Sequence, residues 1–486
     1  MALSVCCRAL KLQTPEVQNL HSRELDRVDH MTAWLTRLLV FSLPIMLLNP
    51  MDPAFHRLQL SELLALPMLV LMALHYFRGR FPIPKLDAVG VLLALLVCIL
   101  YGSAFTSIHA QKSILEATKI FYLITLSVSI YLSSRVYGRG QELLRWASAS
   151  YLLVLLMGVL GIGLLAFGVH SSLAEPSRII GVALGIEGLV PITPRVTSLL
   201  KPTANMTAAY LAVSTLPILD HLFKNYIPPN KRVTRLALIA TVVVISLLTM
   251  SRAFVGTLLA VWLGLLYLRW DVIGRRFWVW AGGIATVAAF CILELYTILY
   301  PLAYSATYTN DPAFVKEIVD LGTKQVPNPV YFLRPAVGSE SFNFEFMFAF
   351  NHYAWLKYAG WLMFTQEPWL GVGPGGFSDY AALLSSKAFI PTDLADYRSA
   401  QSHYFTLLAE MGLIGFTVIC GLIWMLKRKM TLGAGRSLDG LDRIFTLNIV
   451  VLAVICIDMD VLSFRWLWGL GAIILAAHLQ PSVRLS

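Results

Sequence analysis

Charged residues are scarce in this sequence. Asp, Glu, Lys and Arg together make up 14% of the 486 residues, whereas hydrophobic residues make up 57%. Soluble globular domains usually contain about 25% charged and about 45–50% apolar residues. So low a charge content excludes a chain that is mostly solvated. It indicates a protein that resides in a membrane.

Cysteine is scarce as well. Its six positions fall in the N-terminal segment or inside apolar segments: Cys6, Cys7, Cys98, Cys291, Cys420 and Cys456. Because none lies in a predicted outer loop, the sequence predicts neither a disulfide framework nor a cysteine metal cluster. Residues 1–30 also lack the short apolar core and small-residue cleavage site of a signal peptide. We therefore expect residues 1–31 to form a cytoplasmic tail.

Long apolar segments, by contrast, recur along nearly the whole chain. A helix needs about 20 apolar residues to cross a hydrocarbon core of about 30 Å. Twelve segments meet this requirement, with approximate limits 32–49, 58–77, 86–106, 115–134, 147–169, 204–222, 234–250, 253–270, 277–300, 404–426, 444–459 and 464–480. The sequence thus predicts an all-α polytopic membrane protein with about twelve transmembrane helices.

The basic residues predict the orientation of these helices. The net charge is +10, which in a membrane protein usually reflects Lys and Arg in cytoplasmic loops rather than nucleic-acid binding. If the N-terminus is cytoplasmic, the inner loops hold 18 basic residues and the short outer loops about eight. The predicted organisation is a cytoplasmic tail (1–31), nine spans (32–300) with an outer loop (170–203), an outer cap (301–402), three spans (403–480) and a cytoplasmic tail (481–486).

The long segment 301–402 is expected to be functional, as such loops usually are. It contains an aromatic-rich helical pattern, FNFEFMFAFNHYAWLKYAGWLMF, followed by the turn-rich GVGPGGF. This composition predicts a folded helical cap that lies on the membrane.

Three polar residues are predicted to lie at the same outer surface. They are Arg195 in ITPRVTSLLKPTAN, Arg252 in TMSRAFVG and His403 in QSHYFTLLAEMGLIGF. Arginine offers paired donors that match phosphate oxygens, so two arginines at one depth favour a diphosphate site. A neutral imidazole can accept a proton from an attacking hydroxyl. The alternatives remain a solvated loop arginine for Arg195, an interfacial anchor for Arg252 and an ordinary interfacial histidine for His403.

The motifs resemble those of a known family. GVGPGGF is followed about twenty-five residues later by HYFTLLAEMGLIGF, and upstream come SRA at the start of a span and an R…P…N element. Over approximately residues 190–430 this arrangement resembles the bacterial O-antigen ligase/polymerase family. The resemblance implies a multi-pass inner-membrane glycosyltransferase that needs no metal or other cofactor. Its donor would be a glycan on undecaprenyl diphosphate at the periplasmic face, and its acceptor a glycan or lipid A core.

The resemblance also implies roles for individual residues. Arg195 and Arg252 would hold the donor diphosphate, while Pro202 and Asn205 would shape the outer end of the sixth span. The family's histidine precedes the glutamate that matches Glu410 by nine residues, a position that is Gln401 here.

His403 lies two residues after Gln401, and two residues turn a helical side chain by about 200°. His403 can therefore serve as the family's base only if this end of the span is unwound, which we predict for the segment before Tyr404. Glu410 is then expected to be structural. An arginine position of the family is Asn351 here, with His352 beside it. The predicted catalytic residues are His403, Arg252 and Arg195, and the predicted substrate-binding residues are Gln401, Asn205, His352 and Arg334.

Two other functional classes remain open. A transporter or flippase also has about twelve spans, but its ionisable groups are expected near the bilayer midplane, whereas Asp220 and Glu294 lie toward span ends. A non-catalytic assembly scaffold is the other class. Within the enzyme class, the resemblance slightly favours a polymerase over a ligase, because the departures at Gln401 and Asn351 are less expected in a ligase.

Overall fold

The computed structural model describes residues 15–45, 60–77, 87–136, 139–169, 171, 173–177, 193–200, 204–249, 251, 253–268, 352–386, 399–433, 441–457, 459–461 and 463–478. Within these ranges the chain is mostly helical. The helices are α1 (Pro15–Ser42), α2 (Leu60–Phe77), α3 (Ala88–Thr106), α4 (Ala110–Val136), α5 (Gly140–Ala166), α6 (Ala204–Asn225), α7 (Arg232–Leu248), α8 (Phe254–Leu268), α9 (His352–Gln366), α10 (Phe377–Ser386), α11 (His403–Gly433), α12 (Leu441–Ile455) and α13 (Arg465–His478).

Six of the described helices are long and apolar enough to cross a membrane. They are α2 to α6 and α11, and α8 is a shorter apolar helix of the same kind. Every predicted apolar segment within the described ranges coincides with a helix, while the predicted segment 277–300 lies outside them. The protein is therefore an α-helical membrane protein. One boundary differs from the prediction, because α1 begins at Pro15, well inside the predicted tail 1–31.

The helix α6 lies at the centre of the structure. Nearly all of its residues from Ala204 to Phe223 are buried, including Ala208, Ala209 and Ala212. Small side chains let neighbouring helix backbones approach closely in a membrane. At Gly256 of α8, an added Cβ would collide with Ile455 of α12 and would also meet Ala212. The three helices therefore pack at close range around these small residues.

Between α5 and α6 along the chain lies a two-stranded antiparallel sheet, which the all-α prediction did not include. Its strands are β1 (Ala174–Ser177) and β2 (Thr193–Val196), with Glu175 opposite Arg195. The hairpin packs on two glycines of α5, since an added Cβ at Gly161 would collide with Leu173 and one at Gly158 would meet Val196. The end of the predicted outer loop 170–203 is thus held against the helices.

The helix α11 is broken at Gly412. This residue has φ 62° and ψ −168°, a backbone conformation that is essentially restricted to glycine. The break leaves backbone groups without partners inside the helix. The loop 368–373, which connects α9 to α10, pairs them. Val372 and Gly373 donate their N–H groups to the carbonyls of Ala409 and Glu410 at 2.8 and 3.1 Å.

The other side of the break is paired in the same way. Leu413 and Ile414 donate their N–H groups to the carbonyls of Pro368 and Trp369 at 2.8 and 3.3 Å. Unpaired backbone groups are costly near hydrocarbon, so irregular backbone there has to be covered by protein. The loop 368–373 supplies this cover and attaches α9 and α10 to α11.

Candidate functional site

The predicted base, His403, is the first residue of α11. Its N–H donates to the carbonyl of Cys456, which follows the end of α12, at 2.8 Å. The preceding residues are not helical, since Ser399, Gln401 and Ser402 form bends and Gln401 has φ 52°. The structure thus places an irregular segment before His403, as predicted, although the helix begins at His403 rather than at Tyr404. The His403 side chain is buried, with 8% of the residue exposed.

Asp460 is the partner of the His403 imidazole. Its Oδ1 lies 3.0 Å from Nδ1 of His403. A carboxylate can only accept hydrogen bonds, so when Asp460 is ionised Nδ1 of His403 is the donor of this bond. Nε2 is then the basic atom of the ring. In general-base catalysis by histidine, a carboxylate often fixes the tautomer and the orientation of the imidazole in this way.

Asp460 was not among the predicted site residues. It lies in the short segment between α12 and α13, and 57 positions separate it from His403. The available signal was a carboxylate in DMDVLSFRW at the predicted outer end of a span, where a charge without a partner is costly. Nothing in the spacing identified which residue it would contact.

Arg195 lies on β2, in the hairpin that packs on α5. The residue is partly buried, and its Nε atom is buried with no hydrogen-bond partner among the described residues. The neighbouring backbone is fixed, because Ser198 Oγ donates to the Val154 carbonyl at 2.6 Å and Thr207 Oγ1 donates to the Thr197 carbonyl. A guanidinium N–H without a partner in the described ranges is a candidate donor to an anion.

A chain of contacts links the Arg195 hairpin to His403. Thr207 ties the hairpin to the first turn of α6, whose Ala212 meets Gly256 of α8. Gly256 packs on Ile455, and the next residue, Cys456, accepts the His403 N–H. We call this region, at which α6, α8, α11 and α13 begin and α12 ends, the His403 end of the bundle. Arg195 and His403 both lie there, without a direct side-chain contact in the described part of the chain.

The remaining predicted site residues are described to different extents. Asn205 lies partly buried in the first turn of α6, and Gln401 is partly buried in the bend before α11. His352 is the first residue of α9, and its side chain lies outside the described set. Arg252, Pro202 and Arg334 lie outside the described residues. The flanking Ser251 and Ala253 are buried next to the start of α8, where Ser251 Oγ accepts the Ala253 N–H at 3.3 Å.

Glu410 lies on the same face of α11 as His403, two turns further along. Its carboxylate faces the backbone N–H groups of Gly375 and Phe377 in the glycine-rich loop. Phe377 is the first residue of α10, so the Glu410 carboxyl group lies at the N-terminus of that helix, where backbone N–H groups have no partner within the helix. A structural role for Glu410, as predicted, would use this contact.

The glycine-rich GVGPGGF segment, residues 371–377, is held between α4 and α11. An added Cβ at Gly375 would collide with Glu116 of α4, and one at Gly373 would collide with Ser107. Lys112 of α4 bonds Ser378 and Asp379, each at 2.8 Å. The N–H groups of Val372, Gly373 and Gly376 are already paired with backbone carbonyls. The loop therefore joins helices, and these N–H groups are not available to a phosphate.

Comparison with known proteins adds no family to these observations. No family model matches this chain, and no curated protein matches it.

Proposed function

We propose that this protein is a glycosyltransferase of the kind its motifs resemble. It transfers glycan from an undecaprenyl diphosphate carrier to the hydroxyl of an acceptor sugar, with polymerisation slightly preferred to ligation onto lipid A core. The enzyme acts in the bacterial inner membrane with its site toward the periplasm. Twelve spans, and a periplasmic cap formed by residues 301–402, belong to the same proposal.

The observation that carries the proposal is the hydrogen bond between His403 and Asp460. Glycosyl transfer to a hydroxyl requires a group that accepts the hydroxyl proton as the oxygen attacks the anomeric carbon. With Nδ1 bonded to Asp460, His403 offers Nε2 for that proton, and the carboxylate stabilises the imidazolium that forms.

Arg195 supports the other half of the reaction. When the bond to the anomeric carbon breaks, the electron pair stays with the diphosphate, whose negative charge must be stabilised. A well-placed donor in a site that excludes water contributes about 3 kcal/mol to such stabilisation. Arg195 Nε, which has no hydrogen-bond partner among the described residues, would be a donor of this kind at the His403 end. Arg252, which follows the buried Ser251, would be the second cation of the site.

The test is a transfer assay with the full-length protein in lipid nanodiscs. The donor is a synthetic undecaprenyl-diphosphate oligosaccharide, and products are separated by mass as longer glycan or as glycan on lipid A core. His403→Ala is expected to lower the rate at which both products form by about 10²–10⁴-fold. His109→Ala is the matched control, because His109 is exposed in the turn between α3 and α4 and has no role in the site. Full activity of the His403→Ala protein would refute the proposal. Movement of the donor across vesicle membranes without any transfer would favour a flippase.

A further inference from the structure

Arg465 and Glu62 form an ion pair that, we propose, positions Asp460 for its contact with His403. This role rests on the proposed function of His403, but the geometry of the pair is independent of any activity. Both residues would act through Asp460 and are therefore positioning residues.

The ion pair joins the first turns of two helices. Nη2 of Arg465 lies 3.1 Å from Oε1 of Glu62, and Nη1 donates to Ser61 Oγ at 2.8 Å. Arg465 is the first residue of α13, whereas Ser61 and Glu62 lie in the first turn of α2. The guanidinium bonds its two acceptors from two nitrogens held in one rigid plane, whereas a lysine would have to reach both acceptors from a single nitrogen. The side chains are mostly buried, with 13% of Arg465 and 29% of Glu62 exposed.

Asp460 lies midway along the connection between α12 and α13. The first end of the connection is fixed at Cys456, whose carbonyl accepts the His403 N–H at 2.8 Å and Ser402 Oγ at 3.2 Å. The second end is fixed at Arg465 by the ion pair. Asp460 follows the first anchor by four residues and precedes the second by five.

The packing between Asp460 and Arg465 transmits the constraint. Val461 and Phe464 are buried, and the Phe464 N–H donates to the Val461 carbonyl at 3.1 Å. The Phe464 ring stacks on Trp466 with centroids 5.3 Å apart. A movement of Arg465 away from α2 would therefore displace this turn and the carboxylate next to it. A displacement of about 1 Å at a reacting group can lower a rate by about a hundredfold.

The experiment compares Glu62→Gln and Arg465→Lys with Lys429→Gln in the full-length protein. Lys429 pairs with Asp87 at 2.5 Å at the opposite end of α11, so its loss removes an ion pair remote from His403. The first readout is the rate at which diethyl pyrocarbonate modifies His403 at a single pH, followed by mass spectrometry without substrate. The second is the split between kcat and KM in the transfer assay.

Both positioning variants are expected to increase the His403 modification rate several-fold, in the same direction as Asp460→Asn, because the ring loses its fixed partner. We expect kcat to fall roughly ten- to a hundredfold with the donor KM within about twofold. Lys429→Gln should change neither readout. Charge reversal, Glu62→Arg combined with Arg465→Glu, should restore a slow modification rate.

An unchanged modification rate in Glu62→Gln and Arg465→Lys would overturn the inference, as would a charge-reversed protein as impaired as the single variants. The inference would also be overturned if both single variants failed to fold and the charge-reversed protein failed to fold as well. Failure of the proposed function would look different. In that case His403→Ala would remain active, while the Glu62 and Arg465 variants would still increase the rate at which His403 is modified.

Discussion

Nδ1 of His403 lies 3.0 Å from Oδ1 of Asp460. This hydrogen bond joins the start of α11 to the segment between α12 and α13. If Asp460 acts through the imidazole, the two residues form one functional unit. His403→Ala and Asp460→Asn are each expected to lower kcat for transfer, the histidine variant by roughly 10²–10⁴-fold. The double variant should be no slower than His403→Ala alone, because residues that act together have non-additive effects.

The measurement is kcat/KM for all four proteins of this double-mutant cycle. Losses that multiply in the double variant would show that the two side chains act independently, which contradicts the pairing.

Arg195 is expected to contact the donor diphosphate. Arg195→Ala should lower transfer by about 10²–10³-fold, the usual cost of removing one donor to developing charge. Arg195→Lys should retain only a small part of the parent transfer rate, because an ammonium cannot bind two phosphate oxygens with the geometry of a guanidinium. Arg443→Ala is the control, since Arg443 is exposed in the first turn of α12, away from the His403 end. Normal activity of Arg195→Ala would refute the assignment, and Arg252→Ala is open to the same test.

Gly412 should tolerate no other residue. A side chain there would adopt a glycine-only backbone conformation, at a cost of about 1–3 kcal/mol, and its Cβ would collide with the carbonyl of Trp369. Gly412→Ala is therefore expected to lower the thermal unfolding midpoint in detergent. Gly102→Ala is the matched control, because a Cβ at Gly102 of α3 meets no atom within 4 Å. A Gly412→Ala protein as stable as Gly102→Ala would contradict the described break.

Glu410 is expected to stabilise the fold without taking part in transfer. Glu410→Gln replaces one of the two carboxyl oxygens beside the N–H groups of Gly375 and Phe377 with an amide NH₂, which cannot accept a hydrogen bond. The unfolding midpoint should fall, because a buried N–H group left without an acceptor costs about 1–3 kcal/mol. The kcat of the folded fraction should stay within about twofold of the parent, in contrast to the roughly 10²-fold or larger loss expected for His403→Ala. A stable but inactive Glu410→Gln protein would make Glu410 part of the active site.

The orientation of the chain remains a prediction that labelling can test. In a protein without its native cysteines, a cysteine at Ser385 should react with a membrane-impermeant maleimide added to intact spheroplasts. A cysteine at Ser437, in the predicted cytoplasmic loop between α11 and α12, should react only after permeabilisation. The 18-to-eight bias of basic residues between inner and short outer loops is the basis of this expectation. If the cysteine at Ser385 reacted only from the cytoplasmic side, the predicted orientation would be wrong.

The sequence by itself determined where the helices lie. Apolar runs long enough for a bilayer must satisfy their backbone groups internally, and a helix does this within one segment. The predicted segments 58–77, 86–106 and 204–222 accordingly coincide with α2, α3 and α6 to within a few residues. The irregular backbone before α11 was also predicted, because His403 lies two residues after the family position now held by Gln401.

Only the tertiary structure decided which distant residues meet. Hydropathy reports the cost of moving each residue into lipid and carries no information about partners, so the contact of Asp460 with His403 was not predictable. The same is true of the β1–β2 hairpin and of the pairing of Arg465 with Glu62. The break at Gly412 exists because a loop some forty residues upstream, 368–373, pairs the freed backbone groups. Its local sequence, AEMGLIG, is compatible with a continuous helix, and packing against that loop is what stabilises the break.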